Sequence, residues 1–304
     1  ISMKSTSNHL FKTFIAWFDS ESIQLEENQG IAWLRVIPFI GLHIACLLVF
    51  IVGFSWIAFV ALIVTYSIRM FAITGFYHRY FSHKTFKTHK WVEAVFAFIG
   101  ASSAQRGALW WASHHRKHHK YSDTALDLHS PIHGFLQSHM AWFLNHHAFA
   151  TDYSTIQDFA KRPVLRWLNR FDLIAPIVLA VVLYGIGEGL NLYYPHLQTN
   201  GAQLFVWGFV LSTVLLFHVT VSINSVAHVW GTQRYDTQDN SKNNALLALL
   251  TFGEGWHNNH HYYPNTIKQG FYWWEIDITY WILKLMSIVG LTWGLKPIPA
   301  HIKR

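Results

Sequence analysis

Three histidine clusters could do chemistry in this chain: His78 and His83 in HRYFSH, His115, His118 and His119 in HRKHH, and His257, His260 and His261 in HNNHH. Imidazole is the commonest side-chain nitrogen donor for transition metals, so eight such rings in three short motifs point to a metal centre. In HRKHH the rings stand at i, i+3 and i+4, which on a helix gives one face with the adjacent pair about 100° apart. Adjacent histidines can therefore serve two different ions. HNNHH repeats the spacing, and with 21 His in 304 residues chance supplies only about 0.1 copies of HxxHH. His78 and His83 are five apart, about 140° around an ideal helix, so the spacing predicts a helix end at or before His83.

Imidazole-rich, cysteine-free ligation suits Fe, Zn, Cu or Ni. A lipid-embedded substrate offers unactivated C–H bonds. Breaking those calls for O2 activated by iron or copper, which redox-inert zinc cannot do. Eight or nine histidines exceed what one ion accepts, so two iron ions are the economical reading, with zinc able to load instead when iron is limiting. His9, His43, His89, His196, His218 and His301 read as solvated or core rings. His114, His129, His133, His139, His146 and His147 are more ambiguous, some of them fitting hydrogen bonds around the ligands. Asp127, Asp123 and Glu254 are candidates to orient a ligand imidazole.

The elements that position these motifs are read from hydropathy. Hydrophobic residues make up 52% of the chain, aromatics 17% and charged residues only 13%, a balance that belongs to a membrane protein. No Asp, Glu, Lys or Arg occurs from Val36 to Ile68, and the apolar run continues past Arg69 to Phe76, room for two spans of about 20 residues. Gly53 and Ser55 mark the turn. A second pair of spans is expected over Leu173–Leu190 and Leu204–Ala227, separated by the polar stretch Asn191–Gln203. Every Lys and Arg lies in 1–35, 69–170 or 234–304, which by the positive-inside rule puts both termini and the segment 77–172 in the cytoplasm.

The fold class is therefore all-α: an integral membrane protein with four transmembrane helices and a cytoplasmic helical domain carrying a histidine-rich dimetal site. Its parts are 1–35, a cytoplasmic segment with a polar approach over Glu26–Gly30; 36–76, the first hairpin; 77–172, a cytoplasmic histidine region; 173–227, the second hairpin; and 228–304, a second histidine region. Two further apolar stretches, 92–112 and 276–295, are expected as helices at the interface, because a span over 92–112 would separate His78 and His83 from HRKHH. Cys46 cannot form an internal disulfide and reads as a small buried residue. No cleaved signal peptide is expected. The net charge of +7 reads as this orientation bias plus attraction to anionic lipid, without a nucleic-acid partner.

The order HxxxxH, HxxHH, HxxHH over four spans resembles the membrane fatty-acyl desaturases, and specifically the Δ9 acyl-CoA (stearoyl-CoA-type) branch. GFYHRYFSH, AQRGALWWASHHRKHHKYSDT, NSVAHVWG with the following Tyr235-Asp236, and GEGWHNNHH carry the likeness, from about residue 35 to 275. The resemblance implies a ninth histidine ligand at His228 and a water-linked Asn224, four apart and so on one face of a helix. It also implies that Gln105 and Trp111 line the bend of a substrate tunnel. A fused cytochrome b5 domain, as some relatives carry, is not expected, and electrons are expected from a separate ferredoxin, rubredoxin or cytochrome b5 type donor with its reductase. His114 stands where animal relatives have an acidic residue near the headgroup region, which leaves the acyl carrier open.

The expected function is a cytoplasm-facing di-iron desaturase that uses O2 and two external electrons to insert a cis double bond, Δ9 by resemblance, into a saturated acyl-CoA or acyl-lipid chain, with its metal ligands as its catalytic residues. A bacterial inner membrane is preferred to the endoplasmic reticulum. Rivals are a hydroxylase or ketolase on the same ligand set and a histidine-rich metal transporter, whose polar residues would lie at mid-span. Lys84, Lys87, Lys90, Arg116, Lys117 and Lys120 would steer an acidic donor or hold CoA phosphates. If the oxidised carbon sits beside His78, a tail of about ten carbons runs about 12 Å, or eight helical residues, to Met70 and Tyr66 at the tunnel's end.

Overall fold

The charge-free runs form helices, since a backbone in hydrocarbon must satisfy its own polar groups. The computed structural model describes residues 14, 15, 18–22 and 30–303; most of segment 1–35, including the polar approach up to residue 29, lies outside them. The apolar helix α1 (Val36–Val52) is followed by α2 (Trp56–Ser82). Gly53, at φ +72°, stops α1, and Ser55 Oγ accepts from Ala58 N to start α2. Then come α3 (Lys90–Ala101), α4 (Ala108–Tyr121), the short α5 (Phe135–His139) and α6 (Pro163–Arg170). The second hairpin is α7 (Ile174–Tyr193) and α8 (Gly201–Val229). Three short helices complete the chain: α9 (Ala245–Leu250), α10 (His257–Tyr262) and α11 (Ile278–Ile288).

Three of these helices, α2, α7 and α8, are long and apolar enough to cross a membrane, and α1 is apolar but shorter. The turns of the two hairpins are tied together: Ser55 Oγ lies 2.9 Å from Thr199 Oγ1, and Trp207 Nε1 donates to Gly53 O at 2.9 Å. Arg69, fully buried in α2, is satisfied by neutral oxygens. It donates to Thr65 O at 3.0 Å, Ser102 O at 3.1 Å, Thr213 Oγ1 at 2.7 Å and Ser212 Oγ, and so pins α2 to α8 and to the turn after α3.

Two expected helices are shorter than read. The stretch 92–112 is not one helix: α3 ends at Ala101, and Ala104 and Arg106 adopt φ +57° and +70° before α4 begins. Tertiary contacts force the break. A Cβ on Gly107 would meet Asn169 Oδ1 at 2.5 Å, and that oxygen accepts from Trp110 N at 2.8 Å. The break turns the chain back, so that α4 packs beside the end of α2. Likewise 276–295 is helical only to Ile288; β2 (Thr292–Trp293) then pairs antiparallel with β1 (Lys87–Thr88). Asn224 and His228 do not share one regular helix either. Ser222–Ser225 form a turn between helical segments ending at Val221 and starting at Val226.

Candidate metal centre

The last part of α2, Ala72–Ser82, winds as a π-helix with His83 as its C-cap, and His83 N donates to His78 O at 3.2 Å. A π turn closes between i and i+5, so it brings together, edge to face at 4.8 Å, the two histidines that an ideal α-helix would splay apart. The expected helix end is present, and the wider winding brings both rings to one place. From α4, HRKHH points at the same place with its i, i+3, i+4 face.

The nine histidines converge in two groups. His78, His83, His115, His119 and His260 have ligand nitrogens within 4.8 Å of one another, and so do His118, His228, His257 and His261. Both adjacent pairs, 118/119 and 260/261, are split between the groups. Nε2 atoms face each other at 3.1 Å for His78 and His260, 2.8 Å for His83 and His115, 2.9 Å for His119 and His260, and 3.0 Å for His228 and His257.

The outer nitrogens say what these inner ones need. His118 Nδ1 donates to Asp127 at 2.9 Å, His228 Nδ1 to Asp123 at 3.0 Å, His261 Nδ1 to Asp239 at 2.6 Å, and His78 Nδ1 lies 2.5 Å from Glu254. A proton on Nδ1 leaves Nε2 a bare lone pair. Lone pairs converging at about 3 Å repel unless a cation lies between them. In addition, His118 Nε2 and His261 Nε2 are buried with no hydrogen-bond partner. The donor set therefore fits two transition-metal ions, one per group.

Asp127, Asp123 and Glu254 stand where the sequence reading expects orienting carboxylates. Asp239 and Gln269 do the same work without having been anticipated. Gln269 places its amide 3.2 Å from His78 Nδ1 and 3.4 Å from His260 Nδ1, and turning its partnerless buried Oε1 towards them would let it accept an Nδ1–H. Glu254 and Asp277 are themselves held by the fully buried Arg79, at 2.9 Å each. No local spacing signals Asp239, which is 22 residues from His261. His129 belongs to neither group, but with His118 and Asp127 it forms a third cluster whose ligand atoms lie within 4.8 Å of one another. Its Nδ1 lies 3.5 Å from Asp127, beside the His118 ring.

Burial holds six of these imidazoles neutral. It lowers His83, His115, His119, His257 and His260 well below 6.5, with the neighbouring rings adding to the effect. His261 is lowered to about 4 by burial, against the pull of Asp239. Burial opposes ionisation of Asp127, but its bond from His118 and the nearby rings keep it at about 2. The rings are thus ligand-ready at neutral pH. For metal-free protein the sign follows. Below 6.5 the unfolded chain binds protons that the folded chain refuses, so stability is present above 6.5 and lost as pH falls towards 4. Thermal unfolding in detergent with chelator should show the midpoint dropping below pH 6.5; a flat profile would contradict the burial.

A cavity of about 420 Å³ reaches both groups, touching His78, His115 and His257. Gln105, Trp111, Met70 and Asn224 line it. Trp111 stacks on His115 at 5.0 Å, and Gln105 Nε2 donates to Thr220 Oγ1 at 3.2 Å. Tyr66 does not line it, because its ring turns towards Phe252 and its hydroxyl donates to Leu250 O at 2.8 Å. Half of the expected basic patch is internally neutralised: Lys84 and Arg116 share Asp158, and Lys117 pairs with Asp152. Lys87 and Lys90 are exposed. His43 and His218, read as isolated rings, bond to each other at 3.0 Å, and His218 continues to His139 at 3.0 Å.

Comparison with known proteins agrees with this geometry. The fatty acid desaturase family model matches residues 54–287. The chain is 36% identical to an acyl-CoA 5-desaturase of Anemone leveillei over 94% of this chain and 89% of the relative. It is 37% identical to an sn-2 palmitoyl-lipid 9-desaturase of Nostoc sp. (strain 36) over 85% and 88%, and 35% identical to an sn-1 stearoyl-lipid 9-desaturase of Anabaena variabilis over 90% and 97%. With most of its length matched, the chain belongs to the fatty acid desaturase family, and with it to the oxidoreductases of lipid metabolism.

Proposed function

We propose that this chain is a four-span, O2-dependent di-iron desaturase that places a cis double bond, Δ9, in a saturated acyl chain. The observation that carries the reading is the pair of histidine groups, five and four rings, at one apolar cavity. Two iron ions held there would supply the O2 chemistry that removes two hydrogens from a saturated chain. His78, His83, His115, His119 and His260 would hold one ion, and His118, His228, His257 and His261 the other, with Asn224 near enough to the cavity to hold a water. Zinc would occupy the same nitrogens without supporting turnover. The protein's own part is to orient and to keep dry. Carboxylates on Nδ1 fix the ligand tautomers, and Trp111, Gln105 and Met70 position the chain and exclude water.

The positive-inside distribution supports a cytoplasmic site, which we place at a bacterial inner membrane. Two electrons would come from a separate ferredoxin, rubredoxin or cytochrome b5 type donor. Its docking would rest on Lys87, Lys90 and Lys120, which are not drawn into the ion pairs of Asp152 and Asp158.

Membranes containing the protein, supplied with donor and deuterated palmitoyl chains on CoA, phospholipid or acyl-carrier protein, test this by mass spectrometry. A monoene that has lost two deuteriums is expected; a hydroxylated product would make the enzyme a hydroxylase. One methylene at a pocket end is worth about 1–3 kcal/mol. Met70→Trp should therefore lower turnover of 18-carbon relative to 16-carbon chains about tenfold or more, while Tyr66→Ala should leave the chain-length profile unchanged. Equal profiles for the parent and Met70→Trp would place the methyl end elsewhere.

A further inference from the structure

The cavity does not end in the protein interior. Away from the histidines its wall is made by Pro38, Phe39 and Leu42 of α1 and by Pro176, Ile177 and Ala180 of α7, with Phe209 of α8 behind them. Every one of these side chains is apolar. α1 and α7 each pack along α8 and scarcely on each other, and among the described residues no hydrogen bond joins them. By contrast, α1 is tied to α8 through His43 and His218, behind Phe39, whose ring lies 4.3 Å from His43. Pro38 and Ile177 line the cavity and are themselves exposed, Ile177 by 47%. Exposed side chains in the wall place its opening in the first turns of α1 and α7.

Charge identifies the occupant. Arg106 is the one Lys or Arg among the described residues that line the cavity. It is already committed, with Nε donating to Asp172 at 2.8 Å and Nη2 to Phe149 O at 3.3 Å. The pyrophosphate and 3′-phosphate of CoA would find no free cation in the cavity wall, and the exposed Lys87 and Lys90 are not among the residues that line it. A lipid acyl chain needs none. Sliding between two spans, it exchanges bilayer hydrocarbon for an apolar wall while its headgroup stays at the interface, so little transfer free energy is involved.

We propose that the gap between α1 and α7 is a lateral portal through which the acyl chain of a membrane glycerolipid reaches the histidine groups, so that the substrate is an acyl lipid. The inference rests on the desaturase reading of the same site.

The test uses the full chain in vesicles containing phosphatidylglycerol with a diazirine on its palmitoyl group between the ester and mid-chain, the part that would lie in the portal when mid-chain carbons reach the histidines. After irradiation, label is expected on Phe39, Ala180 and Phe209, at least tenfold weaker in Ala180→Trp and undiminished by excess palmitoyl-CoA. Ile177→Trp, at the exposed rim where the new ring meets lipid, is a second blocking variant with the same expectation. Label confined to the outward-facing Val181 and Val182, or unchanged in both variants, or displaced by palmitoyl-CoA, would overturn the portal. If iron-loaded protein turns over palmitoyl-CoA without cavity labelling, the portal fails and the desaturase reading stands. If lipid labels the cavity but no double bond forms, the portal stands and the desaturase reading fails.

Discussion

His118→Ala should abolish turnover by at least about a hundredfold and let a mild chelator strip one of two bound ions, while the protein stays folded in detergent. The group of four histidines loses a quarter of its donors, and the buried Asp127 carboxylate loses the proton donor it holds at 2.9 Å. Loss of an orienting partner alone typically costs 10–100-fold in metal affinity or activity, so loss of a ligand should exceed that. His119→Ala, one residue away, strikes the other group and leaves it four rings; its ion should be the harder to remove. Metal analysis after chelation, alongside gel filtration, separates the two. If both variants kept two ions equally firmly, the division of adjacent histidines between two ions would be wrong.

Gly255→Ala should produce the largest loss of stability among single-methyl additions. A Cβ there would lie 2.1 Å from Ala248 N and 2.6 Å from Asn244 O, both backbone atoms that cannot rotate away. Overpacking of this kind costs about 1–3 kcal/mol and occasionally more. Because α10 begins two residues later, the strain moves His257, which faces His228 at 3.0 Å, so the four-membered group should also bind its ion more weakly. Gly41→Ala is the control. Nothing lies within 4 Å of a Cβ at that helical position, so stability should hold or rise slightly. Unfolding midpoints in detergent test both, and a Gly255→Ala midpoint equal to the parent's would refute the steric account.

These two variants also mark what could be read from residues alone. Eight of the histidines follow from the three motifs, whose i, i+3, i+4 spacing on one helix lets adjacent rings face two ions; His228 is reached only through the resemblance, and which ring joins which group shows only in the folded chain, while Asp123 and Asp127 lie within a dozen residues of HRKHH. The hairpins follow from long apolar runs, and the turn of the first from Gly53 and Ser55. What stayed hidden is tertiary in origin. The π winding under HRYFSH is not a local propensity of those residues; it lets the His78 and His83 rings meet edge-on, 4.8 Å apart, where an α-helix could not. The break after Ala101 is dictated by Asn169, far along the chain, and Asp239 and Gln269 reach the rings only once the C-terminal region folds over them. Tyr66 lies off the cavity wall, with its hydroxyl on Leu250 O; ideal helical geometry gives depth but not which side faces the cavity. His43 and His218 each look solitary in sequence and pair only when α1 meets α8.

The most direct test is an iron titration. Metal-free protein in vesicles with donor, O2 and a deuterated palmitoyl lipid should form the cis monoene in proportion to chains carrying two iron ions, with almost no product up to one equivalent if the first ion fills one group throughout. Full activity at one equivalent, or a hydroxylated chain at two, would contradict a two-ion desaturase.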